Sequence, residues 1–80
     1  MSEKQTIELP YSVEDYSYRV FWSEEDGCFI GKVAEFQSLS AHGETEEEAL
    51  KEIKFVVQAS LEWMMEDSEP IPKPLSQTGK

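Results

Sequence analysis

Gly43-Glu44-Thr45-Glu46-Glu47-Glu48-Ala49-Leu50 is the stretch in which a short strand hands over to the only long helix of the chain. Thr45 is placed to cap that helix, and Glu48, three residues on, to answer it, the reciprocal arrangement of a capping box. Glu46 and Glu47 fall in the first turn, where carboxylates meet the positive end of the helix dipole. Gly43 permits a tight approach to the helix that a side chain would resist. From here Ala49, Leu50, Ile53, Val56, Val57, Ser60, Leu61 and Met64 share one continuous face of a helix over residues 45–66. Lys51, Glu52, Lys54, Gln58, Glu62 and Glu66 take most of the other side. The helix therefore packs one face on a sheet. Phe55 points away from the apolar stripe and Trp63 sits at its edge. Single exposed aromatics are tolerated, but aromatic anchors are enriched at interfaces, which makes both candidate contacts for a partner or a second subunit.

Upstream, Tyr18-Arg19-Val20-Phe21-Trp22 is rich in the aromatic and branched residues that favour strands. Cys28-Phe29-Ile30-Gly31-Lys32-Val33 is its return strand, reached through Glu24-Glu25-Asp26-Gly27, with Asp-Gly as a hairpin turn pair. Residues 34–38 read as a connecting loop and Leu39-Ser40-Ala41-His42 as a short third strand. Residues 1–15 are polar and acidic, broken by Pro10, and read as a loose tail. After the helix, Pro70-Ile71-Pro72-Lys73-Pro74 imposes an extended path without backbone donors, as an arm or edge strand, and residues 75–80 read as a frayed tail.

Eighty residues make one small domain. Seventeen acidic residues against seven basic give a formal net charge of −10. The cations are spread along the chain, so phosphate backbones are repelled and no direct nucleic-acid binding is expected. An acidic surface keeps a protein dispersed, and it also suits a basic protein partner. The single cysteine, Cys28, excludes an internal disulfide and fits a reducing compartment. No leader-like stretch and no apolar run near the length of a membrane span is visible, so a cytoplasmic protein is expected.

The residue types of catalysis are present but not grouped. His42, the only histidine, has no Cys, Asp or Glu at ligand-like spacing and reads as a surface histidine. Asp26, Glu35 and Glu44 are too dispersed to call a metal site, and no glycine loop of the phosphate-cradling type occurs. No catalytic, cofactor or metal residues are assigned, and the chain is not expected to be an enzyme.

Three motifs in order carry a resemblance: Glu24-Glu25-Asp26-Gly27, then Gly43-Glu44-Thr45-Glu46-Glu47-Glu48-Ala49-Leu50, then Ser68-Glu69-Pro70-Ile71-Pro72-Lys73-Pro74. Together they resemble a HicB-type antitoxin domain over about residues 16–74. The resemblance implies an α+β fold of partial ribonuclease-H type, a small antiparallel sheet of three to four strands with one long helix on one face. It implies no nuclease activity, and a role in neutralising a small basic RNA-cleaving toxin of HicA type by direct occlusion. Such antitoxins usually carry Pro-x-Leu/Phe-Pro-Gly before the third strand. Here Ala34-Glu35-Phe36-Gln37-Ser38 keeps the acidic and aromatic positions and lacks both prolines and the glycine. Phe36 joins Phe55 and Trp63 as a candidate interface residue. Full-length antitoxins of this kind also carry a DNA-binding unit, for which the residues after Pro74 leave no room. The alternative is a solitary HicB-like oligomer with a different partner or none. A domain this small rarely stabilises itself from one core, so a dimer or higher oligomer is expected.

Overall fold

The computed structural model describes residues 11–75. Strands β1 (Tyr18–Ser23), β2 (Cys28–Val33) and β3 (Ser40–Gly43) form an antiparallel sheet in the order β1-β2-β3. Helix α1 (Glu46–Glu66) lies across it, making an α+β fold. The first hairpin pairs Tyr18 with Val33 at its open end and Ser23 with Cys28 at the turn. β2 then pairs with β3 from Phe29–Gly43 to Lys32–Ser40.

The turn differs in detail from a two-residue Asp-Gly hairpin. Residues 24–27 form a four-residue loop closed by Gly27 N–H donating to Ser23 O at 2.8 Å. Only Gly27 adopts a positive φ, of 65°, whereas the tight two-residue turn needs two such residues. Asp26 works through its side chain and backbone on Ser23: its N–H donates to Ser23 Oγ at 3.2 Å, and the Ser23 hydroxyl donates to Asp26 Oδ2 at 3.1 Å.

Side chains alternate across the strands, so Gly31 and Val33 face the helix while Ile30 and Lys32 face away. The helix comes very close at two glycines. A Cβ on Gly31 would stand 2.7 Å from Ala49 O, and one on Gly43 would stand 2.5 Å from Ala49 N. Any side chain at either position would push the helix off the sheet. Gly43 is therefore required by the helix lying over it.

The helix begins largely as its sequence specifies. Thr45 Oγ1 accepts from Glu48 N–H at 3.0 Å. The return bond is shifted by one residue: Glu48 Oε1 accepts from Glu44 N–H at 2.7 Å and not from the cap itself. At the other end Glu69 N–H donates to Met64 O and Ser68 N–H to Met65 O, the paired bonds of a Schellman motif. That motif places Ser68 at φ 58°, a position where glycine is the usual occupant.

Tyr16, Val33, Phe36, Ile53, Val57 and Leu61 form the buried core, with Leu50, Val56, Met64 and Ile71 packed at its margin. Ala49 is also fully buried, under the helix start. Two sequence-based assignments are corrected here. Residues 11–15 are not a loose tail: Val13–Asp15 is a capped 3₁₀ turn, and Tyr11 and Val13 pack on the core. Lys54 Nζ reaches Glu14 Oε1 at 2.9 Å across this junction. Phe36, expected at an interface, is only 7% exposed and packs against Tyr16, with ring centres 5.5 Å apart and the planes tilted by 54°. A large apolar ring beside a buried tyrosine gains more by closing the core than by facing water. The tails over 1–10 and 76–80 lie outside the described residues.

Both helix ends yield a measurable expectation. Thr45→Ala removes a cap and should lower unfolding free energy by about 1 kcal/mol. Ser68→Gly relieves the left-handed backbone and should raise it by a few tenths to about 1 kcal/mol. Urea unfolding of the two variants against the parent chain tests both, and a Ser68→Gly variant that is less stable refutes the strain at the helix end.

Candidate functional site

Glu35 is a carboxylate that the fold draws inward. It follows β2 in the loop before β3, and three donor groups converge on it in four hydrogen bonds. Ser17 N–H lies 3.0 Å from Oε1, with Ser17 Oγ at 3.0 Å and Leu75 N–H at 2.7 Å from Oε2. Ser17 N–H also reaches Oε2 at 3.2 Å. Burial alone would raise the Glu35 pKa, but the bonds from Leu75 and Ser17 outweigh it and hold the carboxyl below its ordinary value. Its lone pairs are spent on the chain itself, joining the start of β1 to the proline-rich arm.

Two tyrosines extend this clasp. Tyr16 Oη donates to Pro72 O at 2.8 Å, and Tyr18 Oη donates to Val13 O at 2.7 Å. Burial first, and the nearby Glu35 charge second, push the Tyr16 phenol up to about 12. Burial, then the Glu14 charge, raises Tyr18 as well. Both phenols stay protonated as donors. Pro74 is fully buried at the end of the arm. The arm is extended but makes no ladder with the sheet, because its prolines lack the donors a strand needs.

The other residues considered for chemistry are not brought onto Glu35. Asp26, Cys28, His42 and Glu44 line an open hollow of about 550 Å³ at the turn end of the sheet, shared with Glu48 and Glu52. Among the described residues, no group of three or more His, Cys, Asp and Glu side chains is arranged to hold a metal ion. No helix among them is long and apolar enough to cross a membrane.

The exposed face of α1 is the other feature of note. Phe55 and Trp63 are each 68% exposed. With exposed Ala59 between them they follow at i, i+4 and i+8, so the three lie along one stripe of the outer helix surface. Glu48, Glu52, Glu62 and Glu66 are interleaved around that stripe and are all exposed. The Trp63 indole N–H donates to Asp67 Oδ2 at 2.5 Å, which fixes the ring along the helix. Beside it Ser60, Met64 and Glu69 help line a hollow of about 330 Å³. Exposed aromatic rings are the residue type enriched as anchors at interfaces, and here they stand among carboxylates. Thr45 and Glu48, by contrast, serve the helix start, although the Glu48 side chain lies at the border of the acidic hollow.

Sequence reasoning placed Phe55 and Trp63 correctly off the core but missed the Glu35 clasp. A usable signal was present. Tyr11, Val13, Tyr16 and Tyr18 form an apolar series inside an acidic stretch, and such a series needs something to pack on.

No family model, curated protein or solved structure matches this chain.

The clasp predicts a particular acid response. Because the folded pKa of Glu35 is depressed from 4.5, its stabilisation is complete above that pH and lost as pH falls through the folded value. Glu35→Gln should cost about 1–3 kcal/mol at neutral pH, the range for hydrogen bonds to a charged group. The gap between parent and variant should stay constant from neutral down to about pH 5 and close at lower pH. Urea unfolding across that range measures it. A gap unchanged at about pH 3 would show that the charge of Glu35 contributes nothing.

Proposed function

We propose that this chain is an antitoxin-like binding module of HicB type that neutralises a small, basic, RNA-cleaving toxin of HicA type by covering it. The observation that carries this reading is the outer face of α1, where Phe55 and Trp63 stand exposed among glutamates. Six glutamates against two lysines make α1 strongly anionic, which steers a cationic protein towards it and repels nucleic acid. The two rings then supply the desolvated anchors that hold it. In this reading the fold is the partial ribonuclease-H type without its catalytic groups, the chain is not an enzyme, and it works in the cytoplasm as a dimer or higher oligomer.

The second reading is a solitary HicB-like oligomer with a different partner or none. The loop over residues 34–38 favours it, since its acidic and aromatic positions, Glu35 and Phe36, are both turned to internal structure. Only Ala34, Gln37 and Ser38 of that loop stay exposed.

Binding separates the two. With a catalytically inactivated HicA-type toxin, the first reading expects a complex whose affinity falls about 30-fold or more on Phe55→Glu or Trp63→Ala. Thermal stability should be little changed, because both rings are exposed. Unchanged affinity in both variants would remove the helix face from the reading. A complete lack of toxin binding by the parent chain would leave the solitary oligomer.

Direct DNA binding by the chain alone is not expected in either case. A gel shift with micromolar protein and duplex from its own promoter should show no complex at any salt concentration, and a salt-dependent shift would contradict the electrostatic argument.

A further inference from the structure

The sheet has a second face, which α1 does not touch. Arg19, Phe21 and Ser23 from β1 lie on it, together with Ile30 and Lys32 from β2 and His42 from β3. The centre of this face is apolar: Phe21 pairs directly with Ile30 and is 40% exposed.

Its two ends carry opposite charge. At one end Arg19 and Lys32 stand directly opposite each other, an arrangement of like charges that is unfavourable on its own. The only ion pair among the described residues joins Lys54 to Glu14, so neither cation has a carboxylate partner there. Arg19 instead lies 5.2 Å from the Phe21 ring centre. A hollow of about 530 Å³ opens beside the two cations. At the other end is the 24–27 turn with Glu24, Glu25 and Asp26, the last drawn to this face by the Ser23 hydroxyl. The acidic hollow holding Asp26 and Glu44 opens at that same end.

We propose that a second copy of this chain docks here, sheet face on sheet face, about a two-fold axis that lies between the sheets and across the strands. That operation lays the Arg19–Lys32 end of each copy on the acidic turn of the other and brings the Phe21–Ile30 centres together. The charge order selects this occupant. A basic partner would meet Arg19 and Lys32, an acidic one would meet the turn, and a two-fold axis along the strands would set cation on cation. A surface with the same three zones in reverse order satisfies all three, and this chain carries one. An isologous contact of this kind is self-complementary by construction, and it closes the assembly at two subunits per interface. Packed sheets of this sort stand ~10 Å apart with interdigitated side chains. The inference rests on the self-association in the proposed function and is independent of the toxin, because the acidic, aromatic face of α1 remains free on the outside of the dimer.

Charge reversal with complementation tests it. Sedimentation of the full chain at micromolar concentration should show a dimer. Arg19→Glu/Lys32→Glu and Glu24→Lys/Glu25→Lys should each weaken it at least ~10-fold, because each opposes like charges at both symmetric contacts. An equimolar mixture of the two should recover a dimer, since both contacts in the mixed species pair opposite charges. Unfolding curves establish that each variant is folded. Should a double variant fail to unfold cooperatively, Lys32→Glu and Glu24→Lys take its place in the same mixing experiment. A monomeric parent chain overturns both the self-association and this face. A dimer indifferent to either reversal but lost on Phe55→Glu keeps self-association and overturns this face. Folded variants that lose the dimer and do not recover it on mixing overturn the two-fold arrangement.

Discussion

One helix has to close a three-stranded sheet, and neither can offer the other more than one face. The stripe from Ala49 to Met64 is used up on the helix-facing side of β2 and β3, at a distance set by Gly31 and Gly43. Among the described residues, no further element of secondary structure lies over the far side of either layer. The two surfaces with functional interest, the outer stripe of α1 and the open face of the sheet, are both residues of that single constraint. A larger domain would bury them under a third layer. Here no further layer covers them among the described residues.

The same shortage explains the clasp. A core built on one helix is thin, and its margins would admit water where the sheet ends at Tyr18 and Val33. The 3₁₀ turn and the proline-rich arm are folded onto that margin, with Tyr11, Val13 and Ile71 packed against the buried residues. Prolines cannot add a strand there, so the arm is attached by side chains: Glu35 accepts its last described N–H, and Tyr16 donates to its Pro72 carbonyl. Polar groups hold what backbone pairing cannot. Because those bonds are to a carboxylate and a phenol at the edge of the core, the attachment is sensitive to acid through Glu35. On the alkaline side the Tyr16 contribution is complete below its ordinary value of 10 and fades as pH rises towards about 12.

Local pattern made much of this legible, and distance in sequence hid the rest. The apolar stripe of α1 and the alternation of β1 and β2 depend on neighbours within a few residues, and they appear where the pattern puts them. β3 begins at Ser40 and not Leu39, a one-residue offset at a strand end. The role of Glu35 depends on Ser17 and Leu75, the latter forty positions away. No periodicity encodes such a bond. Phe36 shows the same limit: next to a charged residue in a loop it reads as exposed, and only Tyr16 packing on it reveals it as core. Phe55 and Trp63 were legible for the opposite reason, since an aromatic that breaks a helical stripe is visible at once.

The two uncovered surfaces have different charge logic, and that difference bears on how they can be used together. The outer stripe of α1 is of one sign, with glutamates around both rings, a charge that would favour a basic partner over another copy of itself. Two such stripes repel each other, and self-association through Phe55 and Trp63 would bring glutamates face to face. The open sheet face carries both signs in sequence along its strands and has no such objection to its own copy. On the proposed reading, self-association would belong to the sheet and partner capture to the helix. The layers that separate them, one helix and one sheet thick, place the two surfaces on opposite sides of the same core. A dimer formed through its sheets would then present two acidic helix faces outward, and a basic partner bound on one would leave the other open to a second.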